Sequence, residues 1–334
     1  MEILSQNRNG TMKTSQKSIE VLIITAILPF ATACRPQATS LQSSTLACTT
    51  SISLYCKGVA SVAGYDSVDV FVYENDGIGR LDSYQKLPAN GPAIQIQSRA
   101  GSKTAVLVAG ADNGFFDYND ILYLESLETV TRNLADEDPE HPLRSAVINL
   151  TAGPPGEHSA LLVPLLAEVR VRSLRTDFSA RPYKDAVLED ARAYLINVSG
   201  ICPILWQGDF NPREIYNYGK EDPETSRNLT HPEMLRDDGI SGIPMYCYPC
   251  RGGSGGLGTC TTRLVIEGRI RGVTYYYPIN IGGGTVEPGH RYIYDLTITR
   301  TGTPDPDIPA ESSMIDVKME AVPWEEYENE EILY

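Results

Sequence analysis

Ser67-Val-Asp-Val-Phe-Val-Tyr73, Glu74-Asn-Asp-Gly-Ile-Gly-Arg80 and Leu81-Asp-Ser-Tyr-Gln85 follow one another directly, and their reading decides the fold. The first stretch is rich in β-branched and aromatic residues, which suit a pleated, packed strand better than a helix. The second carries Asn, Asp and two glycines, residues that tolerate positive φ, so the chain turns there and the third stretch returns as the other arm of a hairpin. The same character recurs at residues 93–97, 104–109, 161–171, 193–198, 263–267, 274–281 and 292–299, between Gly, Pro, Asp and Asn clusters. Helical periodicity is confined to residues 118–133, through Ile121, Leu122, Leu124, Leu127 and Val130, with a turn of helix expected at 181–191. Many strands joined by such turns predict an all-β protein of sandwich type with minor helix.

Outward from this hairpin, the chain divides into three expected parts. Arg8, Lys13 and Lys17 precede the apolar run Val21-Leu-Ile-Ile-Thr-Ala-Ile-Leu-Pro-Phe30, and Ala31-Thr-Ala33 leads into Cys34. This is the layout of a signal peptide over residues 1–33. A cysteine directly after the small residues is the acceptor for bacterial lipid attachment, so Cys34 is the expected lipidation (palmitate) site. The apolar run falls short of the roughly 20 residues that cross a bilayer. In Ala152-Gly-Pro-Pro-Gly156 two prolines withhold ladder donors and two glycines weaken a strand, which places a hinge there. The expected domains are 34–158 and 159–334, and residues 206–244, polar and full of Pro, Asp and Asn, read as a long loop.

The net charge of −15 and the pI near 4.7 argue against nucleic acid and anionic membrane surfaces as partners. Besides Cys34 the cysteines are Cys48, Cys56, Cys202, Cys247, Cys250 and Cys260, an even number that favours disulfides in an exported chain. Preferred pairings are Cys48 with Cys56, Cys250 with Cys260 across the glycine-rich run, and Cys202 with Cys247. The last four cysteines also number enough to hold zinc, and Cys247-Tyr-Pro-Cys250 has redox spacing, but it sits among strand signals rather than at a helix start. Residues 251–259 lack the Lys-Ser/Thr of a phosphate cradle and read as a hairpin tip. His141, His158, His231 and His290 fall in turn-like contexts outside any catalytic motif, and the acids of 112–120 lack EF-hand spacing. No enzyme, cofactor or metal is expected.

Three stretches, in order behind the Cys34 signal, resemble the fimbrillin family of Bacteroidales pili, the lipoprotein subunits of type V pili. They are Val68 to Gln85; Leu162-Val-Pro-Leu-Leu-Ala-Glu-Val-Arg-Val171 with Tyr194-Leu-Ile-Asn-Val198; and Tyr277-Pro-Ile-Asn-Ile281 with His290-Arg-Tyr-Ile-Tyr-Asp-Leu-Thr-Ile-Thr-Arg-Thr-Gly-Thr-Pro-Asp-Pro306 and Val322-Pro-Trp324. The resemblance implies two tandem transthyretin-like β-sandwich domains, a structural role, and partnership with other pilin subunits by strand addition. In this family stalk subunits are cut by a protease, commonly after Arg, which frees a groove for a neighbour's strand. Here no arginine lies between Arg35 and Arg80, and Lys57 is the one lysine before Val68. An uncut, lipid-held subunit at the outer membrane, of anchor or accessory type, is therefore expected. Residues 314–321 alternate well enough to pair as a strand, whereas the acids of 325–334 fall on both faces. The alternatives are an adhesive tip subunit or a surface glycan-binding lipoprotein, the latter suggested by Trp206, the 206–244 loop and the nineteen tyrosines.

Overall fold

The structure, a computed structural model, describes residues 47–55, 64–89, 91–179, 182–208, 210, 215–216, 233–234, 244–252 and 261–324. The expected signal peptide, Cys34, Cys56, His231, Cys260 and the acidic tail 325–334 lie outside these residues. The first elements are β1 (Ala47–Tyr55), β2 (Ser67–Glu74), β3 (Leu81–Pro88), β4 (Ala93–Arg99), β5 (Gly101–Ala109), α1 (Tyr118–Ile121) and α2 (Leu124–Glu128). Next come β6 (Thr131–Asn133), β7 (Arg144–Ala152), β8 (His158–Leu161), β9 (Val163–Pro164), β10 (Ala167–Thr176), β11 (Glu189–Ile196), β12 (Val198–Ser199) and β13 (Ile201–Pro203). The chain continues with β14 (Ile215–Tyr216), β15 (Glu233–Met234), β16 (Met245–Cys247), β17 (Cys250–Arg251), β18 (Arg263–Ile270), β19 (Val273–Asn280), β20 (Thr285–Val286), β21 (His290–Ile298) and β22 (Ile315–Pro323).

The opening hairpin forms as read, with β2 and β3 antiparallel from Ser67↔Pro88 to Tyr73↔Leu81. Gly77 and Gly79 take φ of 82° and 67° in its turn, where a Cβ is disfavoured. Asp76 tightens that turn by accepting from the N–H groups of Ile78 and Gly79, both at 3.0 Å, and these bonds hold its carboxyl below the usual range. Strand β2 is buried along both faces, which explains why apolar residues fill both, with Asp69 the one buried polar residue among them. One face, Val68, Val70 and Val72, packs with Ala105, Leu107, Ile94, Ile96 and Ile52 in a first core. The other, Phe71 and Tyr73, packs under Ile121 and Leu127 of the two short helices in a second.

The first core lies between the five-stranded sheet β3-β2-β5-β7-β9 and the three-stranded sheet β4-β1-β8. Sheets β16-β10-β21-β22 and β15-β11-β18-β19 hold the second, through Val169, Val171, Tyr294 and Leu296 on one side and Leu195, Leu264, Ile266 and Tyr277 on the other. The protein is all-β with minor helix, built as β-sandwich layers. Sheet membership changes between Pro164 and Ala167, and the proline-glycine stretch 153–156 joins β7 to β8 within the first pair of sheets. The helical reading of 118–133 resolves into α1, α2 and strand β6. The helix expected at 181–191 is absent among the described residues: 189–191 begin strand β11, which pairs with β18.

A buried polar cluster ties early and late segments together where β6 pairs with β13. Glu137 accepts from the Leu143 N–H at 3.1 Å and from the Tyr248 hydroxyl at 3.0 Å, with Arg132 Nε 4.0 Å away. Burial raises the Glu137 pKa, and the two hydrogen bonds and Arg132 offset only part of that rise. The folded protein thus holds this proton more tightly than the unfolded chain. The stability it contributes is complete below the unfolded pKa of about 4.3 and is lost as pH rises through the folded value. Glu137→Gln cannot ionise, so its stability relative to wild type is expected to improve as pH rises from about 4 towards 8, read from urea unfolding at each pH. Parallel curves for the two proteins would contradict this.

Candidate functional site

Strand β1 is short on large residues, yet it occupies the middle of its sheet. It pairs antiparallel with β4 from Ala47↔Arg99 to Ser53↔Ala93 and parallel with β8 from Ile52↔His158 to Tyr55↔Leu161. Its alternation puts Thr50, Ile52 and Leu54 inside, at 6%, 0% and 1% exposure, and Thr49, Ser51 and Tyr55 outside. Backbone bonds close both margins of the groove: Leu54 N–H donates to the Pro92 carbonyl and Leu162 N–H to that of Tyr55, each at 2.9 Å. The slot between β4 and β8 is therefore filled by β1, which pairs with β4 through residues 47–53 and with β8 through 52–55. Sequence reading missed this strand, although the alternation of Thr50, Ile52 and Leu54 was there to find.

Strand β22 is the opposite case, among the described residues an edge strand paired with β21 alone, in register from His290↔Pro323 to Ile298↔Ile315. Of its side chains only Ile315 is buried, and Val317 and Met319 are 37% and 42% exposed. Its outer face is held by charge: Arg172 reaches Asp295 at 2.6 Å and Glu320 at 3.2 Å. Hydrogen bonds from Arg172 and then Ser173 hold the Asp295 carboxyl below its usual range. At its end Trp324 stacks on Tyr246 with centroids 5.5 Å apart. The backbone edge that β22 turns outward is the kind that accepts a further strand.

The described cysteines are Cys48, Cys202, Cys247 and Cys250. Cys48 is the second residue of β1. Its expected partner, Cys56, lies outside the described residues. Cys48 donates to the Ser98 carbonyl at 3.3 Å. Cys202 and Cys247 are buried thiols. Burial pushes both thiols up, aided by Glu137 at Cys202 and by Cys250 at Cys247, the opposite of what a reactive cysteine pair needs. The expected partner of Cys250, Cys260, lies outside the described residues. Among the described residues no cluster of His, Cys, Asp and Glu is suited to a metal.

Most of the remaining candidates have local partners. His141 pairs with Asp138 at 3.1 Å on an exposed turn, His290 contacts the Pro288 carbonyl at 2.9 Å, and His158 opens β8. In the acidic turn, Asp112 pairs with Arg132 at 2.7 Å, while Asp117 caps α1 by accepting from the Asn119 N–H. Tyr277 is buried and donates to the Arg300 carbonyl at 2.8 Å, whereas Tyr275 and Tyr276 are half-buried. Trp206 lines an open, mostly apolar cleft of about 450 Å³ with Leu124, Val147, Leu161, Pro164 and Pro288. No helix among the described residues is long and apolar enough to cross a membrane.

Stacked sheets, with β1 seated at the centre of one of them, make a β-sandwich protein whose fold is shared with solved structures of fimbrial and cell-adhesion proteins. The chain is similar to a candidate cell adhesion protein from Bacteroides eggerthii, at 18% identity and TM-score 0.59, over 83% of this chain and 96% of that one. It is similar to a fimbrilin from Porphyromonas gingivalis, at 12% identity and TM-score 0.58, over 82% and 97% of the two chains. The C-terminally truncated tip fimbrial protein Mfa3 of Porphyromonas gingivalis matches at 16% identity and TM-score 0.53, over 84% and 100%. At these identities the likeness is one of fold, and it agrees with the fimbrillin resemblance of the sequence. No protein-family profile and no curated protein sequence matches the chain.

Proposed function

We propose that this chain is a fimbrial subunit of anchor or accessory type, not an enzyme, lipidated at Cys34, held on the outer membrane and joined to other pilins by strand addition. The observation that carries the reading is β1, seated between β4 and β8 with Ile52 and Leu54 buried. A subunit that keeps this strand keeps its groove filled and its body joined to whatever precedes residue 47, including the lipid. The stretch without arginine from Arg35 to Arg80 supports retention. The pairing surface left open is then the outer edge of β22, where Val317 and Met319 supply apolar side chains beside unpaired main-chain groups. In this reading the two pairs of sheets act as separate domains, and Cys250 pairs with Cys260 in the exported protein.

Mass spectrometry of the protein isolated from cells tests this directly. A chain beginning at lipidated Cys34 is expected. A mature N-terminus near Gly58 or Tyr65 would instead mean that β1 is removed and that the subunit polymerises. The glycan-binding reading rests on Trp206 in its cleft, where a sugar ring would stack on the indole. Loss of binding to a broad glycan array in Trp206→Ala would favour it, and a blank array for wild type would retire it.

A further inference from the structure

Lys103 stands where an apolar residue is expected. Along β5 it shares an inward face with Ala105, Leu107 and Ala109 of the first core, and it is 0% exposed. Its Nζ lies 2.6 Å from Oε1 of Glu74, the cross-strand partner on β2, and 3.1 Å from Oδ2 of Asp82 on β3. The Asp82 side chain is itself only 1% exposed, whereas that of Glu74 is 28% exposed. Close as these contacts are, Lys103 Nζ and Asp82 Oδ1 have no aligned hydrogen-bond partner. Asp82 is held in place from β4, by the Arg99 N–H donating to Oδ2 at 2.7 Å and by Arg99 Nε 3.3 Å from Oδ1.

We propose that Lys103 and Asp82 condense into an intramolecular amide, an isopeptide bond between β5 and β3, with Glu74 as the proton shuttle. The ammonium gives a proton to Glu74, and the freed Nζ lone pair attacks the Asp82 carboxyl carbon. The N–C bond forms, one carboxyl C–O bond breaks, and the oxygen leaves as water, carrying protons that came from Nζ and pass through Glu74. An ammonium and a carboxylate become one neutral amide and one water, so atoms and charge balance and no oxidant, reductant or co-reactant is consumed.

Three features of the site favour this outcome. A buried ion pair bears a desolvation penalty that a neutral amide does not. Strands on either side hold nucleophile and carboxyl together, a constraint equivalent to effective concentrations of about 10⁵–10⁸ M. The roles divide by exposure: the sequestered Asp82 is the acceptor, and the partly exposed Glu74 exchanges protons with solvent. In the proposed fimbrial role, on which this consequence rests, the chain bears tension along a filament, and such a bond would lock the start of β3, beside the β2–β3 turn, to β5 at the centre of its sheet.

The test is the intact mass of the purified, reduced wild-type chain with peptide mapping. The expected result is a mass lower than that of the processed sequence by one water, and a branched peptide joining the segments around Asp82 and Lys103. A full mass with separate peptides would overturn the proposal and leave an ion triad. Lys103→Arg keeps the cation but removes the nucleophile, so it is expected at full mass; a missing water there would place the bond elsewhere and overturn the assignment. Folded Glu74→Gln is expected at full mass as well, and a branched peptide in that variant would overturn the role of Glu74. The wild-type mass decides the matter even if a variant fails to fold.

Discussion

Replacing Ile52 and Leu54 together by alanine is expected to release β1 from its sheet and to bring the first sandwich close to unfolding. Each side chain is fully enclosed between β4, β8 and the facing sheet. Truncation of such a residue costs about 2–5 kcal/mol. The two are neighbours on one face, so their effects need not add, but even a shortfall leaves a loss comparable to the ~5–15 kcal/mol that holds a whole domain. The urea midpoint should fall sharply, with early loss of signal from the first sandwich. A synthetic peptide of residues 47–55 with native Ile52 and Leu54 should recover part of that stability in trans, because the slot offers main-chain partners on both margins. An unchanged midpoint would show that β1 is not held by these residues, and a destabilised variant indifferent to the peptide would show that the slot does not accept a strand from outside. Either result would undercut the pilin reading at its centre.

The second large effect is expected where β10 and β21 run parallel. Glu168 and Arg291 are direct partners across these strands, 1% and 6% exposed, with Arg291 Nη2 donating to Glu168 Oε2 at 3.0 Å. Arg170 also bonds the same carboxylate from a more exposed position. Arg291→Met strands most of a buried negative charge and should cost about 3–5 kcal/mol. Glu168→Leu with Arg291→Met removes both charges and should be near neutral or up to about 4 kcal/mol stabilising. Urea unfolding of the two singles and the double measures the coupling. A single variant within about 1 kcal/mol of wild type would mean that Arg170 alone satisfies the carboxylate, and the argument from burial would fail. Because β21 is the partner of β22 among the described residues, this pair also decides how firmly the outward edge strand is presented.

Legibility in the sequence followed the size of the signal. The β2–β3 hairpin, β5, β18, β19 and β21 carry apolar runs or strong alternation bounded by turn residues, and they lie within a residue or three of where those patterns put them. Strand β1 went unread because its outward face is Thr, Ser and Tyr and the spacing of Cys48 and Cys56 invited a loop. Strand β11 begins earlier than expected because pairing with β18 overrides the weak local preferences of 189–191. For the candidate assembly site, residues 314–321 were legible as a pairing strand, but their position at an edge was not, since that depends on which strand ends the sheet.

What the sequence by itself determined is the class of structure: strands joined by Gly, Asp and Asn turns, and hence an all-β sandwich protein. Those features are local, and periodicity and turn chemistry act within a few residues. Only the tertiary structure decided that β1 fills the slot between β4 and β8, that β22 is left as an open edge, and that Lys103 meets Glu74 and Asp82 inside a sandwich. Those are juxtapositions of residues distant along the chain. They are set by the burial of two apolar faces against each other, which no short stretch of sequence contains.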